Sequence, residues 1–352
     1  MSLLEVNNLE VSFPTPDGSV RAVRDVSFAV DAGQTLGIVG ESGSGKSVST
    51  QTIVGLTRGA RVSGQAFFQG RDLLELTSRD LRSILGVEIG MIFQDPLSSL
   101  HPYYRAGWQI TEMVRAHENV SKKAARARAV ELLDVVGIPQ PERRVDAYPH
   151  QLSGGMRQRV MIAMAMALSP TLLIADEPTT ALDVTVQAQI LTLMRRLQDE
   201  FGTAIIMITH DLGVVADIAD EVMVMYAGEV VEHTDRRTAY YAPHHPYTRG
   251  LLRSLPGRAD QHGEQDGRGR LDSIYGQPPS LIQIPAGCPF HPRCPFVMDR
   301  CRTDDPPLRP VDEGSLHRSA CWLPDDQVGI GPEVDERRRE TAEGTAPARR
   351  AS

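Results

Sequence analysis

The sequence predicts an α/β protein. It has a three-layer core on a parallel sheet, an antiparallel β region ahead of that sheet, a helical subdomain and a small C-terminal cysteine-containing extension. Three observations predict this. Gly40-Glu41-Ser42-Gly43-Ser44-Gly45-Lys46-Ser47 has the form G-x-x-x-x-G-K-[ST] and lies between an apolar run at 35–39 and a helical stretch at 48–56. Strand and helix patterns alternate again later, with apolar runs at 172–175 and 204–209 flanking a helical pattern at 184–201. All four cysteines fall between 288 and 321, where proline and histidine rise and periodicity fades.

The glycine-rich loop has a direct physical reading. Successive backbone N–H groups in such a turn form an anion nest, and the helix N-terminus adds partial positive charge. Gly40, Gly43 and Gly45 permit the backbone angles and the close approach, with Glu41, Ser42 and Ser44 completing the loop. Lys46 reaches β- and γ-phosphates, and Ser47 can ligate Mg²⁺.

Ahead of the loop, residues 3–39 alternate apolar and polar positions, broken by the turn Pro14-Thr15-Pro16-Asp17-Gly18. Beyond it, 62–68 and 90–94 read as strands with a helix at 78–84 between them. Residues 96–168 turn helical, including an amphipathic helix at 122–136 that Gly137 and Pro139 end. Residues 222–226 and 229–232 read as a closing hairpin around Ala227-Gly228. The polar, glycine-rich stretch 261–270 reads as a flexible insertion, and 324–352 as a disordered tail. The expected boundaries are 1–95 and 169–234 for the phosphate-binding core, 96–168 for the helical subdomain, 235–323 for the extension and 324–352 for the tail. No internal repeat is visible, so one nucleotide-binding unit is expected per chain.

Composition narrows the classes. The 352 residues are 41% hydrophobic and 23% charged with net charge −8, which argues against a chain-wide nucleic-acid surface. No N-terminal signal pattern is visible, and the longest apolar run, 160–168, is well short of the roughly 18 residues of a spanning helix. The chain is expected to be soluble, or to meet a membrane only through partners. The clustered cysteines fit a reducing compartment better than a disulfide scaffold.

Two further stretches carry chemistry. Residues 171–177 form an apolar strand ending in Asp176 and Glu177, which this topology places beside the phosphate loop. Asp176 can hold Mg²⁺, and Glu177 can polarise the water that attacks a γ-phosphate. In Leu152-Ser153-Gly154-Gly155-Met156-Arg157-Gln158-Arg159, Ser153 is an N-cap, Gly154 and Gly155 expose backbone N–H groups, and a helix runs on from Met156. That is a second anion site in a chain with one triphosphate loop.

This last string resembles the LSGGQ signature of ATP-binding cassette (ABC) proteins, and the resemblance covers about residues 3–325. It implies the ABC nucleotide-binding domain, with its RecA-like parallel-sheet core, and ATP hydrolysis. It also implies a head-to-tail pair of cassettes in which Ser153, Gly154, Gly155 and Gln158 act on the partner's ATP. Gln94 resembles the Q-loop glutamine, near Mg²⁺ or the attacking water. Thr180-Ala181-Leu182-Asp183 resembles the D-loop, with Asp183 at the dimer interface, and His210 resembles the switch histidine at the γ-phosphate. Phe13 is the candidate for stacking on adenine, although a strand phenylalanine also serves a core.

Residues 40–49, 93–96, 155–159 and 174–189 look like the "D" ATPase subunit of dipeptide/oligopeptide importers. The methionine at 156, in place of glutamine, fits that subunit. Pro243-His244-His245-Pro246-Tyr247-Thr248 and Gln277-Pro278-Pro279-Ser280-Leu281 match the C-terminal extension of the peptide/nickel group. The implied assembly is a second, paralogous ATPase subunit, two transmembrane permeases and, indirectly, an extracytoplasmic peptide-binding protein. It would sit peripherally on the cytoplasmic face of the cell membrane, with residues 96–107 receiving a permease helix and no nucleic acid involved. Import of nickel or another small solute is the alternative. A non-transport ABC ATPase lacks support, because no coiled-coil insertion or second cassette appears. A non-catalytic cassette conflicts with the presence of Glu177 and His210.

Cys288, Cys294, Cys301 and Cys321 are separated by five, six and nineteen residues, and the first two precede proline. Such prolines occur near iron–sulfur ligands, and no C-x-x-C zinc spacing is present. Some members of the resembled group carry a similar pattern at a [4Fe–4S] site. Zinc, or free or adventitiously paired thiols, stay open, and His244, His245 and His291 read more readily as packing or capping residues than as ligands.

Overall fold

The computed structural model describes residues 2–180, 182–255 and 274–324. The expected flexible insertion at 261–270 and the tail, apart from Pro324, lie outside the described residues, as does Ala181. The chain forms two compact units, Met1–Val230 with Pro278–Ile284, and Val231–Gln277 with Pro285–Ser352.

The first unit opens with β1 (Leu4–Thr15) and β2 (Gly18–Val30), an antiparallel pair in register Leu4↔Val30. Their burial alternates, as expected where one sheet face is covered. The turn is tighter than the sequence suggests, because Thr15 Oγ1 donates to the Gly18 carbonyl and both strands run up to it. β3 (Thr35–Val39) is buried at every position and feeds the glycine loop. α1 (Lys46–Ile53) begins two residues earlier than its apolar pattern, because Gly45 at φ 99° serves as its N-cap.

β4 (Arg61–Phe68) adds to the antiparallel sheet on β1, with β5 (Arg71–Asp72) at its edge. α2 (Ser78–Ile84) starts at Thr77, whose hydroxyl accepts from Asp80 N, and leads to β6 (Ile89–Ile92). The helical stretch resolves into α3 (Pro96–Ser99), α4 (Ala106–His117), α5 (Lys122–Val135), α6 (Pro141–Arg144) and α7 (Gly154–Ala165). Ser121 caps α5 and Asp95 caps α3.

β7 (Leu172–Asp176), α8 (Val184–Phe201), β8 (Ala204–Thr209), α9 (Leu212–Ile218) and β9 (Glu221–Tyr226) complete the parallel sheet, in order β9-β3-β8-β7-β6. β7 and β8 are buried throughout, as continuous apolar runs in a sheet covered on both faces require. One core joins Ile110, Val114, Leu133, Val160, Ile162, Leu173, Ile205 and Met207, so sheet and helices share it. These parallel strands all end on the side where the glycine loop, Asp176 and Thr209 lie.

β10 (Glu229–Asp235) carries the chain into the second unit. Two short helices follow, α10 (Arg236–Tyr241) and α11 (Pro246–Arg253), in a region where the sequence pattern had faded. Asp235 and His245 cap them, accepting from Thr238 N and Tyr247 N. β11 (Arg309–Pro310) and β12 (Arg318–Ser319) are antiparallel, and β12 pairs with β10 through Glu232↔Ser319. No helix among the described residues is long and apolar enough to cross a membrane.

Candidate functional site

The glycine loop is shaped by what crowds it. A side chain at Gly40 would collide with the Met225 carbonyl, and one at Gly45 with the Ala22 carbonyl, so only glycine fits at either place. Lys46 is 4% exposed, and its ammonium donates to the carbonyls of Gly40 at 2.7 Å and Glu41 at 2.8 Å. Burial holds its pKa below the usual lysine value, while Glu177, Asp176 and Glu41 pull the other way.

Ser47 Oγ donates to Asp176 Oδ1 at 2.6 Å, and Gln51 Nε2 to Oδ2 at 3.2 Å. Burial pushes the Asp176 carboxyl up, these two donors and Lys46 oppose that, and the neighbouring Glu177 adds to it. A hydroxyl and a carboxylate oxygen in contact at the loop's helix, the carboxylate 3% exposed, are the hard oxygen donors that Mg²⁺ takes. The residues present therefore fit that ion.

Glu177 follows at the end of β7 with φ 47°, a left-handed conformation. Its N–H donates to the Ile208 carbonyl at 2.9 Å, pinning it to β8. Its Oε2 accepts from Gln94 Nε2 at 3.0 Å and from Thr180 Oγ1 at 2.8 Å, and its Oε1 faces His210 Nδ1 at 3.5 Å. Residues from β3, α1, β6, β7 and β8 thus converge on one place, where phosphate-binding amides and a lysine meet a carboxylate pair. Such a constellation holds a triphosphate and directs a water at it.

Elsewhere, Ser153 Oγ accepts from Met156 N at 3.3 Å, so α7 starts at Gly154 rather than at Met156. Ser153 and Gly154 are exposed, and α7 packs on α3, α4, α5 and β6. Gln158, expected to act with them, is 2% exposed and has no hydrogen-bond partner for Nε2, so its amide is turned into the protein. Asp183 caps α8, accepting from Val186 N at 3.0 Å. Phe13 is half-buried in β1, opposite Val20. Gln51 was not singled out from sequence, and Thr180 only as part of the D-loop string. Gln51 lies four residues after Ser47, on the same helix face, which is the one signal that points to it.

Comparison with known proteins agrees with this geometry. Residues 23–180 match the ABC transporter family model, and residues 231–301 match that of the oligopeptide/dipeptide transporter C-terminal region. The chain is 52% identical to the oligopeptide transport ATP-binding protein OppD of Salmonella typhimurium, over 93% of this chain and 95% of that protein. This chain belongs to the ABC transporter family. It is also 49% identical to the dipeptide transport ATP-binding protein DppD of Escherichia coli, over 94% of this chain and 99% of that one. Among solved structures, a post-hydrolysis dimer of the ATP-binding cassette MJ0796 bound to ADP and Pi aligns with TM-score 0.61 and 28% identity, covering 66% of this chain and 99% of that one. The chain is an ABC ATPase, with ATP as its substrate and ADP and phosphate as products.

The second unit of this ABC ATPase holds a different cluster. Glu232 is fully buried and accepts from the backbone N–H groups of His244 at 2.5 Å and His245 at 3.1 Å, and from His317 Nε2 at 2.7 Å. Burial pushes its carboxyl up, yet the donors from His317 and the His244 N–H outweigh that and hold it below the usual range. His245, buried and pushed down to about 4, is neutral and serves as the cap of α11.

Cys288, Cys294, Cys301 and Cys321 all line one cavity, with His245, Phe290 and Trp322. None is in a disulfide. Burial pushes the Cys288 thiol up to about 12 and Cys294 up to about 11. Among the described residues, no group of three or more His, Cys, Asp or Glu side chains is disposed to hold a metal ion. The four thiols lining this cavity, expected from sequence as [4Fe–4S] ligands, form no such group.

Proposed function

We propose that this ABC ATPase powers import of di- and oligopeptides through a membrane permease complex, on the cytoplasmic face of the membrane. The observation that carries this is the match of residues 231–301 to the oligopeptide/dipeptide transporter C-terminal region, together with near-full-length likeness to OppD and DppD. Nickel or another small solute is the second reading.

Exposed surfaces support the reading of the partners. Leu97, Tyr103, Tyr104 and Trp108 are exposed on and after α3, with Tyr104 stacked on Trp108 at 4.1 Å, an apolar patch suited to a permease helix. Exposed Ser153 and Gly154, at the start of α7, suit a second ATPase subunit's nucleotide. A peptide-binding protein would act through the permeases. Residues 1–95 and 169–234 would serve as the ATP-binding core, 96–168 as the permease-facing helical part, and 235–323 as the importer-specific extension.

Within the site, the loop amides and Lys46 bind the phosphates, whose oxygens compete with the Gly40 and Glu41 carbonyls for the ammonium. Ser47 and Asp176, with Gln94, would hold Mg²⁺, which supplies charge neutralisation between the β- and γ-phosphates. Glu177 polarises the water, and His210 turns toward the γ-phosphate. The four cysteines would hold a [4Fe–4S] cluster as a structural tie for the extension.

The test is ATPase assay of the complex that co-purifies with this chain, with and without peptide-loaded binding protein. Peptide-dependent stimulation is expected. Glu177→Gln should lower turnover at least a hundredfold while ATP still binds. Stimulation by nickel and not by peptide would favour the second reading.

A further inference from the structure

We propose that Thr180 is a positioning residue for ATP hydrolysis, fixing the Glu177 carboxylate for the attacking water. This rests on reading Glu177 as the group that polarises that water. The Glu177 side chain has three neighbours of unequal character. His210 stands at 3.5 Å and is 57% exposed. Gln94 is exposed and lies on the loop after β6. Thr180 makes the shortest of the three contacts, is half-buried, and belongs to the same turn as Glu177.

That turn closes twice. Thr180 N–H donates to the Glu177 carbonyl at 3.2 Å, and Thr180 Oγ1 donates to Glu177 Oε2 at 2.8 Å. A β-branched residue has few χ1 rotamers, so its hydroxyl direction is stiff. Glu177 is thus held at its base by Ile208 and at its tip by Thr180. A glutamate has three side-chain torsions, and with only the exposed Gln94 and His210 left beside it the carboxylate would sample positions away from the water. The hydroxyl engages only Oε2, and Oε1, which faces His210 at 3.5 Å, keeps a lone pair to accept from the water. Reacting groups a fraction of an ångström out of place lose a large share of their rate.

Thr180→Val removes the hydroxyl at nearly constant volume, and Thr180→Ser keeps it. Steady-state ATPase of the full chain in its co-purified complex should show kcat about tenfold or more lower in Thr180→Val, as expected for a lost bond to a charged group. KM for ATP should stay within about twofold, and Thr180→Ser should return kcat to within about threefold of the parent. On a Glu177→Gln background, Thr180→Val should add no further loss. ATP-binding affinity and the circular dichroism spectrum confirm that each variant is folded.

A Thr180→Val variant with unchanged kcat would overturn the proposal, as would Thr180→Ser as slow as Thr180→Val, or a rise in KM alone. If Glu177→Gln itself turns over normally, the reading of Glu177 fails and this proposal with it. If Glu177→Gln is inactive while Thr180→Val is unimpaired, only the role given to Thr180 fails.

Discussion

Ser47 and Gln51 sit one helical turn apart on α1 and divide the two oxygens of Asp176 between them. Gln51 is therefore an outer support for whatever cation Asp176 holds. Groups in that position commonly alter metal affinity ten- to a hundredfold. Gln51→Leu is expected to raise the Mg²⁺ concentration for half-maximal ATPase about tenfold, with global stability changed by under ~1 kcal/mol; a magnesium titration of activity at fixed ATP reads it. Asp176, Glu177, Lys46 and Ser47 were legible in the sequence because each stands at a fixed offset in a strand–loop–helix string. Gln51 was not, and the contact of Thr180 with Glu177 was not, since a polar residue on a helix or in a turn reads as solvated until its acceptor is located.

α8 shows what an element needs beyond its own periodicity. Its 18 residues are flanked by Asp183, whose carboxylate accepts from Val186 N, and by Gly202 in a left-handed conformation. Asp183→Ala should cost about 1 kcal/mol in chemical denaturation, whereas Asp183→Asn should keep the cap and stay within ~0.5 kcal/mol. Any ATPase loss in Asp183→Asn would then report on the Asp183 charge, at the proposed dimer interface, rather than on the helix. Buried parallel strands such as β7 and β8 were legible as apolar runs bounded by turn residues. α10 and α11 were not, because helices of 6 and 8 residues are too short to display a period. They exist because Asp235 and His245 cap them and Pro246 occupies a first-turn position.

At the scale of the molecule, the first unit carries the ATP chemistry, and the second carries a buried carboxylate and four thiols around one cavity. Anaerobically purified protein is expected to show a broad absorbance near 400 nm and about four irons per chain, both lost on replacing Cys301 by Ser. Colourless, iron-free anaerobic protein would leave the cavity as packed thiols. The tie between Glu232 and His317 has a consequence for biosynthesis. It joins residues 85 positions apart, so the loop it closes is long and its entropic cost must be met before the contact forms. Every strand of the parallel sheet is already synthesised by Tyr226, whereas buried Glu232 lacks its His317 hydrogen bond until residue 317 has left the ribosome. The ATPase unit can thus fold during translation while its extension waits for nearly the whole chain, and premature termination before residue 317 would release a formed ATP site beside an unformed extension.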